Sequence, residues 1–90
     1  MEVIQFFPDA GAEHPLWDGD GALYDLRDLP LSEVLCTDLE AWAHVASWPS
    51  EYMGRPDKVV ELKQSGRDLC HRVQEELGAD FEVVWKWDYM

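Results

Sequence analysis

Three histidines and two cysteines are the first candidates in this 90-residue chain for binding a metal ion or transferring protons. Zinc sites draw cysteine and histidine ligands from short, characteristic spacings. Cys70 and His71 are instead neighbours, and neighbouring side chains on a helix point about 100° apart. We therefore predict no metal site and no cofactor. His14 and His44, with nearby carboxylates, are the candidates for proton transfer if the chain is a small enzyme or an enzyme subunit.

The run Asp18-Gly19-Asp20-Gly21 is a second candidate, because its carboxylates could serve as calcium ligands. A calcium loop of the EF-hand type spans roughly twelve residues and closes with a bidentate glutamate. Counting Asp18 as the first position places Leu29, which has no ligand atom, at the closing position. The sequence therefore predicts an ordinary Asp/Gly turn here.

Patterns typical of nucleophilic catalysis or phosphate binding are absent from the sequence. It contains no GxSxG run and no glycine-rich phosphate-binding motif after a strand. Cys36 and Cys70 fall in separate predicted helices, which favours two reduced, buried thiols and leaves a bridge between the helices open. We predict that the chain is not an enzyme.

The charge of the chain is strongly acidic and unevenly distributed. Nineteen acidic and seven basic residues give a net charge of −12. Residues 1–54 contain eleven acids and one base, Arg27, whereas residues 55–90 contain eight acids and six bases. A negative field repels nucleic acid and anionic membranes and attracts a basic partner. Simple solubility and mimicry of nucleic acid stay open as alternative reasons for this charge.

Length and composition predict one globular domain over residues 1–90, since 47% of the residues are apolar. No apolar run approaches the ~20 residues that a membrane-spanning helix needs. The first residues, MEVIQFFPDAG, lack the basic start and long apolar middle of a signal peptide. We therefore expect a cytoplasmic protein that does not contact membranes.

Two amphipathic helices are predicted. The longer covers residues 57–77, with Pro56 suited to its first turn and Gly78 to its end. The shorter covers about 32–47, with Ser32 as the N-cap. The apolar stripe of the longer helix recurs at intervals of three and four when Gly66 and Cys70 are included with its larger members, Val59, Leu62, Leu69, Val73 and Leu77.

Alternating apolar and polar residues predict strands over 2–7 and 81–87, and 22–26 is a candidate third strand. Two strands alone form a marginal sheet, so residues 22–26 or a second copy of the chain would complete it. We predict an α+β fold with both helices packed on one face of the sheet. Parallel and antiparallel pairing of the terminal strands both stay open.

Gly66 lies in the middle of the longer predicted helix, where glycine costs roughly 1 kcal/mol relative to alanine. A second helix or an aromatic ring that approaches the backbone closely would explain it. The alternative is a groove floor where a ligand touches the backbone.

Aromatic residues are the strongest indication of a binding surface. The chain has five tryptophans and three tyrosines, of which Trp42 falls on the apolar stripe of the shorter helix and is predicted to be core. Trp17, Trp48 and Tyr52 fall in predicted loops, where binding residues are common. Tryptophan and tyrosine are enriched at the energetic centres of interfaces. An aromatic core with loops folded over it is the alternative.

Several short motifs follow one another along residues 14–84: Asp28-Leu29-Pro30-Leu31-Ser32, Leu35 through Ala41-Trp42, Gly66-Arg67-Asp68-Leu69, Glu76-Leu77-Gly78 and Phe81-x-Val83. This pattern resembles that of small uncharacterised bacterial proteins with an αβ arrangement. Small acidic proteins of that kind are similar to immunity proteins, which neutralise bacterial toxins. The resemblance implies a protein-binding role and transfers no site residue.

These observations lead to the hypothesis of a protein-binding module, an inhibitor or immunity-type protein that occludes a basic effector or toxin. Acidic residues would steer the partner and aromatic residues would anchor it. A self-associating homodimer and a small enzyme are the alternatives. The steering residues would be Asp18, Asp20, Asp25 and Asp28, and the anchors Trp17, Trp48 and Tyr52.

Overall fold

The computed structural model describes residues 2–9, 12–48 and 52–87. It confirms the predicted α+β class, and both helices begin and end within one residue of their predicted bounds. The strands are slightly shorter than predicted. In chain order the elements are β1 (Glu2–Phe6), β2 (Leu16–Trp17), α1 (Glu33–Ala46), α2 (Pro56–Leu77) and β3 (Phe81–Trp85).

The described strands form one sheet in the order β2-β1-β3. β1 and β3 are parallel, with Ile4 opposite Val83 and Phe6 opposite Trp85. The chain between them is long enough to cross over and return in the same direction, which parallel pairing requires. β2 runs antiparallel to β1, with Phe6 opposite Leu16.

The third strand lies at Leu16–Trp17 and not at the candidate segment 22–26. The turn at Asp18 reverses the chain, so the following segment passes the outer edge of β2 and pairs there only through Leu23. Leu16 is fully buried and fills the core, which explains why the pairing occurs earlier in the chain than predicted.

Both helices cover the face of the sheet that carries Ile4 and Phe6, as predicted. These two side chains are fully buried in the same cluster as Leu39 of α1 and Val73 of α2. Ser32 at the start of α1 forms hydrogen bonds with Glu76 near the end of α2. These bonds show that the two helices run antiparallel. The Ser32 hydroxyl also accepts the Leu35 amide at 3.3 Å, which confirms the predicted N-cap.

An aromatic cluster fills the space between the helices and the sheet. Trp42 contacts Phe6 and Trp85, with ring centroids 5.3 Å and 6.4 Å away, and its indole N–H donates to the Leu62 carbonyl at 2.8 Å. The Trp42 and Trp85 rings pack against Gly66. The close aromatic approach predicted at Gly66 is thus confirmed.

The outer edge of β3 is closed by one side chain of α2. Gln74 Oε1 accepts the Val83 amide at 2.9 Å, and Gln74 Nε2 donates to the Phe81 carbonyl at 2.9 Å. A fourth strand added beside β3 would form its hydrogen bonds with these two backbone groups. The carboxamide therefore occupies an edge that would otherwise be open to strand pairing.

Candidate functional site

A groove of about 940 Å³ lies between α1 and the chain segment that precedes it. Glu33, Cys36 and Glu40 line it from α1. The opposite wall is formed by the loop that connects β1 to α1. Its lining residues are Glu13, His14, Leu23, Tyr24, Asp25, Leu26, Arg27, Leu29 and Leu31.

The helix geometry explains why the α1 residues share this wall. Residues three, four and seven positions apart lie on one side of an α-helix. Glu33, Cys36 and Glu40 follow that spacing, and the Ser32 cap fixes where the helix begins. The two carboxylates are therefore held two turns apart on the same side.

His14 fastens the opposite wall to the sheet. Its Nδ1 accepts the Leu16 amide at 3.1 Å, so the other ring nitrogen carries the proton and donates to the Tyr24 carbonyl at 2.5 Å. His14 is only 5% exposed, and burial lowers its pKa despite the Tyr24 bond and the charges of Glu40, Glu13 and Asp25. Both ring nitrogens form hydrogen bonds with backbone groups, so the ring holds the loop in place.

The carboxylates of the groove form few contacts with other described residues. Within the described residues, the side chains of Glu13, Glu33 and Glu40 form no hydrogen bond or ion pair, and that of Asp25 accepts only the backbone amide of Arg27. Arg27 is the cation of the lining. With four acids and one base among its lining residues, the groove is negatively charged.

A smaller depression of about 440 Å³ continues the groove toward the end of α1. It shares Glu13 and Glu40 with the larger one and adds His44 and Trp48. Trp48 is 54% exposed. We call the two depressions together the acidic groove.

The cysteine of the groove is a poor nucleophile. Burial raises the pKa of Cys36, and the charges of Glu40, Glu76 and Glu33 raise it further. Burial also raises the pKa of Cys70, against the opposite influence of Arg67. Both cysteines are free. Their thiols stay protonated at neutral pH, and a thiol reacts through its thiolate.

The structure distributes the predicted site residues over several places. Asp25 lines the acidic groove and Trp48 stands at its end. Asp28 is exposed in the short 3-10 turn Leu26–Asp28. Tyr52 is buried at 4% exposure, and its hydroxyl donates to the Ala46 carbonyl at 2.9 Å. In this conformation Tyr52 supports the end of α1 from inside.

Trp17, Asp18 and Asp20 lie on the sheet side, away from α1. The predicted Asp/Gly turn is confirmed, since Asp18 Oδ1 accepts the amides of Asp20 and Ala22 at 2.8 and 2.9 Å. Gly21 supplies the positive φ of 88° that the turn needs. Trp17 stacks on Phe7 with ring centroids 4.9 Å apart.

Glu13, Glu33 and Glu40 were missed by sequence reasoning. The seven-residue spacing of Glu33 and Glu40 on a predicted helix was a usable signal for two of them. Glu13 had no such signal, because its position depends on the contacts of His14.

The described part of the chain contains neither a cluster of metal ligands nor a membrane-spanning helix. Residues 2–9, 12–48 and 52–87 contain no group of three histidine, cysteine or acidic side chains placed to hold a metal ion. Over the same residues, no helix is long and apolar enough to cross a membrane.

Comparison with known proteins gives one family. No curated protein matches the chain. The family model described as Serratia CdiI immunity protein-like matches residues 2–88, which confirms the resemblance to immunity proteins. The chain thus belongs to the Serratia CdiI immunity protein-like family.

Proposed function

We propose that this protein is an immunity-type inhibitor that binds a basic toxin through the acidic groove and blocks it by occlusion. Membership of an immunity-protein family supports a partner that is a toxin protein. The observation that carries the choice of surface is a set of carboxylates that have no partner side chain among the described residues and surround one concave wall: Glu13, Glu33 and Glu40. A protruding segment of the toxin rich in lysine or arginine fits that wall.

Charge accelerates the encounter and selects the partner. The whole chain carries −12, and the groove concentrates part of that charge beside α1. Complementary charge raises association rates and disfavours acidic competitors, and salt weakens both effects. Asp18, Asp20 and Asp28, all outside the groove, add to the same field.

Trp48 supplies an anchor at the end of the groove. Its side chain is 54% exposed and Val45, three residues earlier, is 43% exposed. Exposed tryptophan beside aliphatic surface is typical of interface centres. The toxin segment would therefore meet carboxylates along α1 and an apolar contact where α1 ends.

Inhibition by occlusion needs no reaction on the part of this chain. His14 is held by two backbone groups, and both thiols are kept protonated by burial. We propose a role that is not catalytic. The toxin is blocked while it is bound and is released unchanged.

The first experiment identifies the partner and then tests the groove. The tagged protein is used to capture partners from a lysate of the source cell at low and moderate salt, and recovered proteins are identified by mass spectrometry. Binding kinetics of the purified toxin are then measured for wild type and the Glu33→Lys/Glu40→Lys variant. We expect slower association and a loss of affinity of roughly tenfold or more.

A matched charge change on α2 provides the control. Glu61→Lys/Asp68→Lys alters the net charge by the same amount at exposed positions outside the groove. It should reduce association only slightly and leave the dissociation rate unchanged. Equal losses for the two pairs would show that general charge, and not the groove, governs binding.

A further inference from the structure

The face of the sheet opposite the helices carries an unusual set of side chains. Ile4 and Phe6 point into the core, so Val3, Gln5 and Phe7 alternate to the other face. Trp17 and Val84 lie opposite Gln5 on neighbouring strands, and Leu23 pairs beside Trp17. We call the apolar members the outer sheet face: Val3, Phe7, Trp17, Leu23 and Val84.

Neither described helix packs on the outer sheet face. Val3 is 41% exposed and Leu23 is 39% exposed. A sheet with one solvated face normally alternates apolar residues inside with polar residues outside. Here the solvated side carries three aliphatic side chains and two aromatic rings beside Gln5 and Glu82. An exposed apolar area with polar neighbours is typical of protein contacts.

This surface is held rigidly in place. The rings of Phe7 and Trp17 are stacked with an interplanar angle of 8°. The Trp17 indole N–H donates to the Phe7 carbonyl at 2.9 Å, and Gln5 Nε2 donates to the Asp18 carbonyl at 2.9 Å. A preorganised aromatic surface loses little conformational entropy when it binds.

We infer that the outer sheet face is a second contact surface for the toxin, on which the toxin places an apolar patch bordered by lysine or arginine. The inference rests on the proposed function. Glu82 lies on this face opposite Val3, and Asp18 and Asp20 lie in the turn that directly follows Trp17. Lys86, two residues after Val84, is the exposed cation of the same described strand region. A second copy of this chain would bring the same acidic border and a further −12 of charge, so charge complementarity favours the basic partner.

Leu23 connects the two surfaces. It lines the acidic groove and also pairs with Trp17 at the edge of the sheet. A single toxin that fills the groove can therefore continue around this edge onto the outer sheet face. On this arrangement the groove provides the charged contacts and Trp17 provides the apolar anchor.

The test measures association and dissociation rates separately, with the purified toxin as the probe. Trp17→Ala removes the aromatic anchor and should raise the dissociation rate by roughly tenfold. Val3→Thr/Val84→Thr keeps the β-branched shape and should raise it severalfold. Neither variant changes charge, so the association rate and its salt dependence should stay at wild-type values.

Controls and alternative outcomes make the test decisive. Val34→Thr/Val60→Thr changes two exposed valines on the helices, each 67% exposed, and should have no effect on dissociation. Circular dichroism verifies that Trp17→Ala is folded, and the valine pair tests the same face if it is not. Unchanged dissociation in a folded Trp17→Ala variant and in the valine pair would overturn the second surface and leave the groove proposal intact.

Two further outcomes bear on both proposals. No binding of the toxin to wild type would overturn both. A wild-type particle of twice 10.4 kDa by light scattering that becomes monomeric on Trp17→Ala would assign the face to self-association instead.

Discussion

The indole ring of Trp42 lies against the backbone of Gly66 so closely that a Cβ atom added at position 66 would be 2.5 Å from Trp42 Cζ2. The same atom would be 2.9 Å from Trp85. We predict that Gly66→Ala lowers the free energy of unfolding by about 1–3 kcal/mol, because overpacking exceeds the gain of roughly 1 kcal/mol in helix propensity. Chemical denaturation measures the change.

Ser65→Ala is the control for this prediction. Ser65 is exposed on the same helix, so alanine there changes helix propensity without overlap and should leave stability equal or slightly higher. A Gly66→Ala variant as stable as Ser65→Ala would mean that the two rings move aside without cost.

The helices and their packing could be predicted because their signals are local. The apolar spacing and the Ser32 cap fix the two helices, and the cost of Gly66 indicated a close ring. By contrast, a strand of two residues such as β2 has no measurable periodicity. Its place is set by the burial of Leu16 in the core and by the turn at Asp18, and these depend on tertiary contacts.

The candidate site was less predictable for the same reason. Asp25 and Trp48, which were predicted to steer and to anchor a partner, both line the acidic groove. Glu13 joins them only because His14 holds its loop to Leu16 and Tyr24. Spacing along a chain does not reveal such contacts.

Gln74 protects the free edge of β3, and its removal should expose that edge. We predict that Gln74→Ala lowers the free energy of unfolding by about 1–3 kcal/mol, since the Val83 amide and Phe81 carbonyl lose their partner. We also expect concentration-dependent association through the open edge. Denaturation measures the first effect and light scattering the second.

Gln64→Ala is a matched control for Gln74→Ala. Gln64 lies on the same helix, and among the described residues its side chain bonds only to Asp68, one turn away at an exposed site. It should change stability little and leave the protein monomeric. If the two variants behaved alike, Gln74 would have no protective role at the edge.

Glu76 links the end of α2 to the start of α1. Its Oε1 accepts the Ser32 amide at 2.6 Å and its Oε2 accepts the Ser32 hydroxyl at 2.9 Å. We predict that Glu76→Ala lowers the free energy of unfolding by about 1 kcal/mol, because the capping serine and the positive end of the α1 dipole lose a carboxylate. Thermal melting of Glu76→Ala and of the neighbouring Glu75→Ala measures the difference.

Glu75 is a suitable comparison because, within the part of the chain that the structure describes, its carboxylate pairs only with the exposed side chain of His71. Its removal should shift the melting temperature little. Equal shifts for the two variants would show that the Ser32 contact adds no stability.

His14 should make stability depend on pH near neutrality. Burial lowers its pKa in the folded protein below the ordinary 6.5, so the unfolded chain binds the proton more readily. The Leu16 amide donates a hydrogen bond to Nδ1 of His14. Protonation of Nδ1 would break this bond, because two N–H donors would then face each other. The contribution of His14 to the free energy of unfolding is therefore fully present above pH 6.5. It is lost as the pH falls from 6.5 toward the lowered pKa of the folded state.

The comparison of wild type with His14→Gln isolates this effect. Most carboxylates titrate at lower pH, so the window between about pH 7 and pH 5.5 reports mainly on histidine. We expect the free energy of unfolding of wild type to fall across this window and that of His14→Gln, although lower throughout, to fall less. The same slope in both proteins would show that His14 is not held neutral by Leu16 and Tyr24.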